Sequence, residues 1–219
     1  MASIRPDYDI DPQRWRSWES PQDVHDIVAP ELHGPVLDVA CGEGRLARLL
    51  NGRVAWIGVD SSRTQLEENP YRPVILADMR VLPFRDDAFA EVTHLWCLYH
   101  LEDPVVAIRE ASRVLRPGGR YYACTAGRDN DPEIMWEGYP PSSFDAEEAV
   151  AIVASVFEHV EAQRCDDRFF PLETRDEVRA YCRHNYITAE RADIAELPLW
   201  LTKRGVLVRA TKRRSAEPR

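Results

Sequence analysis

Apolar runs of strand length recur along this chain, and turn-forming residues separate them. They fall at about 35–40, 54–60, 73–77, 90–96 and 120–126. Helix-like stretches lie between: 44–51, a short one opened by Ser62 with Gln65 three positions on, and Asp103 to Leu115. Arg116-Pro117-Gly118-Gly119 then reads as a stop signal, because proline cannot continue a helix and glycine accepts a left-handed cap. Strands alternating with helices predict an α/β chain with a mostly parallel sheet. Ser20-Pro21-Gln22-Asp23 reads as an earlier helix start, with Ser20 as cap and Pro21 at the first position. Apolar residues at 149, 150, 152, 153, 156 and 157 mark one buried face of a helix over 145–157. Two last strands are expected at 159–169 and 205–211, with a helix near 174–184 between them. There is no internal repeat and no long linker, so residues 1–219 are expected to form one domain. Within it, 1–30 reads as an N-terminal cap, 127–143 as a Gly/Asp/Asn/Pro-rich loop, and 212–219 as a frayed tail.

The stretch Val36-Leu37-Asp38-Val39-Ala40-Cys41-Gly42-Glu43-Gly44-Arg45-Leu46-Ala47 joins a strand, a small-residue turn and a helix opening. Glycine has no Cβ, so such a turn brings backbone close to a ligand. The following helix points its N-terminal amides at the same spot. This is the outline of a nucleoside-cofactor site. Gly42 to Ala47 satisfies the dinucleotide pattern G-x-G-x-x-G or A. Asp38, four residues before Gly42, argues against a dinucleotide, since a carboxylate there would repel a pyrophosphate. A cofactor carrying a sulfonium and an ammonium would tolerate it.

Two further acids end apolar runs. Trp56-Ile57-Gly58-Val59-Asp60 places one 22 positions after Asp38, where it can accept from a ribose diol. Val74-Ile75-Leu76-Ala77-Asp78 places another where it can accept from an adenine amine, with Met79 against the ring. Turns favour Asp anyway, so each acid alone says little. Three in succession, with the glycine turn after the first, say much more.

With these stretches, and with ILADMRVLPFRDDAF and EVTHLWCLYHLEDPVVAIREASRVLRPGGRYYACT, the chain resembles the class I S-adenosylmethionine-dependent methyltransferases, in their compact small-molecule (type 11-like) group. The resemblance runs from about Val36 to Thr125. It implies a Rossmann-like, doubly wound, seven-stranded and mostly parallel sheet closed by an antiparallel last hairpin. It implies S-adenosyl-L-methionine as cofactor. Asp38, Ala40, Cys41, Gly42 and Gly44 would hold the methionine end, with the main chain at His94 and Leu95 beside it. Asp60 and Ser61 would take the ribose, and Asp78 and Met79 the adenine. Two positions depart from the family pattern: Ala40 replaces the first turn glycine, and Ala90 replaces the acid usual after Phe89. The reaction implied is methyl transfer to an oxygen, nitrogen or other nucleophile of a small metabolite. The alternatives are a non-catalytic protein that binds the same cofactor and a nicotinamide-dependent oxidoreductase, which Asp38 and Asp78 oppose.

Composition narrows the partners. A length of 219 residues suits one domain with a proper core. The net charge of −9 argues against a nucleic-acid substrate, which calls for a basic face. No apolar run approaches the roughly 20 residues of a membrane span. The N-terminus lacks a signal peptide's apolar core. Five cysteines without a C-x-x-C pair fit a reduced, cytoplasmic chain with no structural metal, and Cys41 reads as a small residue in a tight turn. A monomer or homodimer acting on a small acceptor is expected. Lys203 and Lys212 are the only lysines among 28 basic residues.

The acceptor side should lie beyond the carboxyl ends of the strands, where the sheet order reverses. His94, Tyr99 and His100 are the base candidates there, each with packing as the plainer alternative. Asp129-Asn130-Asp131 and Asp166-Asp167 read as turns rather than cation ligands. Trp15 and Trp18, with Arg14 and Arg16, could close the site as a lid, together with Tyr8, Trp136 and Tyr139.

Overall fold

A computed structural model describes residues 23–185 and 187–214. Seven described strands form one sheet: β1 (Val36–Val39), β2 (Trp56–Asp60), β3 (Val74–Leu76), β4 (Phe89–Leu95), β5 (Leu115–Ala126), β6 (Glu158–Leu172) and β7 (Leu199–Thr211). Their order is β3-β2-β1-β4-β5-β7-β6. The first five pair in parallel, and β7 runs antiparallel to both β5 and β6. This is the doubly wound sheet with an antiparallel last hairpin that the resemblance implies. The order reverses between β1 and β4, which opens a crevice at their carboxyl ends.

Helices cover both faces. α1 (Val24–Val28), α2 (Arg45–Leu50) and α3 (Arg63–Glu68) bury Val24, Val28, Leu46, Leu50 and Leu66 with Val36, Trp56 and Leu95. On the other face, α4 (Pro104–Val114) and α5 (Ala146–Ala154) bury Ala107, Ile108, Ala111, Ala149 and Val153 against Leu37, Val39 and Val92. Strand side chains alternate between these cores, as a pleat requires. Capping sets the helix starts. Ser62 accepts from the Gln65 N–H at 3.2 Å, and Asp103 accepts from Val105 at 3.0 Å with Pro104 at the first helical position. The cap of α1 is Asp23, which accepts from the His25 N–H at 3.0 Å. The start expected at Ser20-Pro21 lies outside the described residues, as does the proposed lid with Tyr8, Arg14, Trp15, Arg16 and Trp18.

The C-terminal third departs from the sequence reading. α4 ends at Val114, close to the expected Leu115, but β5 begins directly at Leu115 rather than at 120: Phe89 and Glu91 pair with Leu115 and Arg120, so residues 116–119 bulge within the strand. β7 begins at Leu199 rather than 205, and the long β6–β7 hairpin carries α6 (Arg175–His184) and α7 (Ala189–Ile194) between its arms. α6 opens with a full capping box of Thr174 and Glu177. These helices bury Val178, Tyr181, Cys182 and Ala192 with Leu199 and Leu201 in a third apolar cluster. The segment 127–143 is a loop, as expected, and Ile134, at 1% exposure, joins this cluster and anchors the loop near its middle. Lys212 is likewise not frayed: its ammonium donates to Asp87 and to the Leu115 carbonyl, each at 2.7 Å.

Candidate functional site

A cavity of about 280 Å³ opens at the reversal point, floored by Ala40, Cys41 and Gly42 after β1 and by Leu95 and Trp96 after β4. The turn reaches it through left-handed backbone, with φ of +59° at Ala40 and +52° at Gly42. A Cβ at Gly42 would meet only Gln65 Oε1, at 3.6 Å, so the space before this residue is open. Gly44, at φ +92°, differs: a Cβ there would fall 2.6 Å from Asn69 Oδ1 and 2.7 Å from the Tyr71 ring. Gly42 therefore admits a ligand, whereas Gly44 admits the protein's own segment 69–71. Asp60 fastens the turn, because Oδ2 accepts from the Gly42 N–H at 2.9 Å and Oδ1 from the Ser62 N–H at 2.8 Å. Asn69 holds the other side, donating to the Gly42 carbonyl at 2.9 Å. An open cradle without a Cβ, fastened by a buried carboxylate, fits an adenosyl cofactor.

Asp38 lies one layer below. Its carboxylate accepts from Thr93 Oγ1 at 2.8 Å and Trp56 Nε1 at 3.2 Å. Burial raises it to about 6 against those hydrogen bonds. His94 points into the opposite core, fully buried, with Nδ1 2.9 Å from the Tyr121 hydroxyl. The expectation of a catalytic side chain at His94 is thereby corrected: strand alternation turns the ring away from the cavity. Only its main chain, at the end of β4, remains near the cofactor space.

Burial lowers the His94 imidazole to about 3, so it stays neutral in the folded chain. Below about pH 6.5 the unfolded chain takes up a proton that folded His94 refuses, so stability falls as pH falls. Asp38 has the opposite sign. Folded Asp38 takes up its proton near pH 6, before the unfolded carboxyl near 3.8, so its contribution to stability rises as pH falls. The two slopes oppose between about pH 4 and 6. His94→Gln keeps a partner for Tyr121 and removes one slope. Its unfolding free energy relative to wild type should rise by up to about 1.4 kcal/mol per pH unit below pH 6.5. Urea titrations at pH 7, 6 and 5 check this, and parallel pH profiles would refute it.

The remaining candidates divide. Leu95 and Tyr99 line the cavity with the turn residues. His100 does not; its ring lies 4.6 Å from that of Tyr99 and it is 9% exposed. Burial pushes the Cys41 thiol upward, which leaves it a filler rather than a nucleophile. Ser61 is exposed. Asp78 is clasped by Arg80, which donates from its N–H at 2.8 Å and from Nε at 3.0 Å to each carboxylate oxygen. Hydrogen bonding to Arg80 holds the Asp78 carboxyl below its ordinary range. Arg80 thus already engages both oxygens of the carboxylate expected to accept from adenine, while Met79 packs against the main core.

Two groups on the cavity wall carry no motif. Near the turn, Asp23 meets His25 Nδ1 at 2.7 Å and Arg45 at 3.2 Å. Burial raises the Asp23 carboxyl, but His25 and Arg45 outweigh it and bring it down to about 2. Across the cavity stand Tyr139, Tyr181 and Lys203, gathered on Asp131. Asp131 is fully buried and accepts from Tyr181 at 2.6 Å, Tyr139 at 2.9 Å, Asn130 at 2.9 Å and Lys203 at 2.7 Å. The expected turn at 129–131 is present, and its last residue, Asp131, is also an ion-pair hub.

Residues 37–123 match the family described as Methyltransferase domain. This segment is similar to methyltransferase domains, and the fold is that of S-adenosylmethionine-dependent methyltransferases. A demethylmenaquinone methyltransferase of Symbiobacterium thermophilum is 33% identical over 129 residues, 52% of this chain and 51% of that one. Methyltransferase GfsG of Streptomyces halstedii is 38% identical over 99 residues, covering 39% and 35% of the two chains. The chain spans about half or less of the length of these curated relatives. YcgJ of Bacillus subtilis aligns over 87% of this chain and 98% of its own with a TM-score of 0.63 at 18% identity. NodS, an N-methyltransferase of Bradyrhizobium japonicum solved with S-adenosyl-L-homocysteine, aligns over 93% and 94% with a TM-score of 0.61 at 16% identity. At such identity these structures speak for the methyltransferase fold alone.

Within this methyltransferase fold, the matched segment ends before the hub residues begin. A faint signal for them existed: in a chain that otherwise uses arginine for its cations, Lys203 is one of two lysines. Among the described residues, Asp145, Glu147 and Glu148 lie close enough to share a cation. Arg128 already occupies the group, donating to Asp145 at 3.1 Å and Glu148 at 2.6 Å.

Proposed function

We propose that the protein transfers the methyl group of S-adenosyl-L-methionine to a small-molecule acceptor held in the cavity above the Ala40–Gly42 turn. The observation that carries this reading is the open, Cβ-free approach at Gly42, clasped by Asp60 and continuous with a wall of side chains on the last hairpin. The cofactor supplies an activated methyl on a sulfonium when bound. Asp60, which fastens the Gly42 turn, is the residue assigned here to the ribose. Ionised Asp38 sits beneath the methionine end and favours the cationic groups there. Leu95, Trp96 and Tyr99 give the acceptor a flat, apolar floor, and the hairpin wall shields it from water.

A small acceptor agrees with the cavity's size and with the acidic charge. Among the described residues no helix is long and apolar enough to cross a membrane. The relatives named for demethylmenaquinone methylation make a ring-bearing acceptor worth testing first. Calorimetry separates the readings: S-adenosylmethionine and S-adenosylhomocysteine should bind, and NADH should not. Tight NADH binding without either adenosyl compound would overturn the assignment. Methyl release into no member of a broad acceptor panel would favour a non-catalytic binding protein.

A further inference from the structure

We propose that Lys203, backed by buried Asp131, forms a subsite for an oxyanion carried on a flat ring of the acceptor. This rests on the reading that the acceptor occupies the cavity. The pair is asymmetric toward that space: Lys203 lines the cavity with its side chain 23% exposed, whereas Asp131 is 0% exposed and is not among the lining residues. Lys203 reaches both Asp131 oxygens, at 2.7 and 2.9 Å, from one side. Tyr181 braces it from another, giving its proton to Asp131 and taking one from Lys203. Burial beside Asp131 keeps the Tyr181 hydroxyl protonated, which suits a brace and not a base.

The other charges on that wall are differently engaged. Arg204 is tied to Asp166 at 3.0 Å and Asp145 to Arg128, while Asp167, the cross-strand partner of Lys203, is exposed and lines the same cavity. Trp96 and Tyr99 line the same cavity and offer faces for a ring. A cation at this place favours the ionised form of a bound phenol, enol or carboxylic acid. The acceptor's O–H bond then breaks on binding, its electron pair stays on oxygen, and the proton leaves to solvent. His94, turned into the core, is not needed for that step.

The test uses the whole protein saturated with S-adenosylhomocysteine, and two probes: 4-nitrophenol, whose phenolate is followed by its visible absorbance, and benzoate, followed by calorimetry. In the wild type at least one probe should bind as its anion. For 4-nitrophenol, the bound phenol should ionise at lower pH than in free solution. Lys203→Met should weaken that binding about tenfold or more, the scale of one charge-assisted contact, and cancel the nitrophenol shift. Lys203→Arg should keep both. Lys203→Met leaves Asp131 buried without its counter-ion, so the double variant Lys203→Met/Asp131→Asn guards against simple misfolding and should show the same loss. A nitrophenol response alone points to a hydroxylated ring, and a benzoate response alone to a carboxylate. Binding of neither probe as an anion, or binding unchanged in the double variant, overturns the subsite. Failure of the wild type to bind S-adenosylhomocysteine in the same titrations would instead overturn the cofactor reading.

Discussion

Gly42→Val is expected to abolish measurable binding of S-adenosylhomocysteine while the chain still folds. The two effects separate because the space before Gly42 is open: an added Cβ meets only Gln65 Oε1 at 3.6 Å. The branched side chain would project into the space the ligand needs. The folding cost is backbone strain, since Gly42 has a φ of +52°. A left-handed residue other than glycine costs roughly 1–2 kcal/mol. In a chain of this size that lowers the melting temperature by about 2–4 °C per kcal/mol. Gly44→Val is the contrast. Its Cβ would collide with Asn69 and Tyr71, so it should destabilise the fold itself. Calorimetry beside thermal unfolding distinguishes the pair. A folded Gly42→Val protein that binds the ligand at wild-type affinity would show that the turn does not cradle it.

Asp60→Ala is expected to lose both affinity and stability. From sequence, Asp60 looks like a ribose ligand whose removal leaves the fold intact. In the structure its carboxylate is 3% exposed and takes two backbone N–H groups, from Gly42 and Ser62. Alanine orphans both donors, at a cost on the order of 1–3 kcal/mol each. Affinity should fall by a further roughly 1.5–3 kcal/mol, the scale of a hydrogen bond to a charged group. Asp60→Asn keeps one acceptor for the turn and should recover part of the stability but little of the affinity. Thermal unfolding and S-adenosylhomocysteine titration of both variants measure this. A melting temperature unchanged in Asp60→Ala would remove Asp60 from its role as clasp.

The cofactor half of the site was legible in the chain because its determinants are local. The turn, the acid ending β2 and the Ser62 cap fall within 36–65, and each acts through backbone geometry that its own residue type permits. Alternation of strand-length and helical runs likewise settled the parallel sheet, since each helix must return the chain to the next strand. What the residues of β4 face was not legible. A central parallel strand is apolar on both sides, so pattern does not tell which way His94 turns, and only the packed sheet sent its ring to Tyr121. The acceptor wall lay furthest from reach. Asp131 and Lys203 are 72 positions apart, and Asp131 and Tyr181 are 50 apart. Nothing in the local spacing of either ties it to the other. They meet because a hairpin longer than its apolar pattern suggests carries α6 over the cavity. Burial then leaves Asp131, at 0% exposure, dependent on the groups that fold against it.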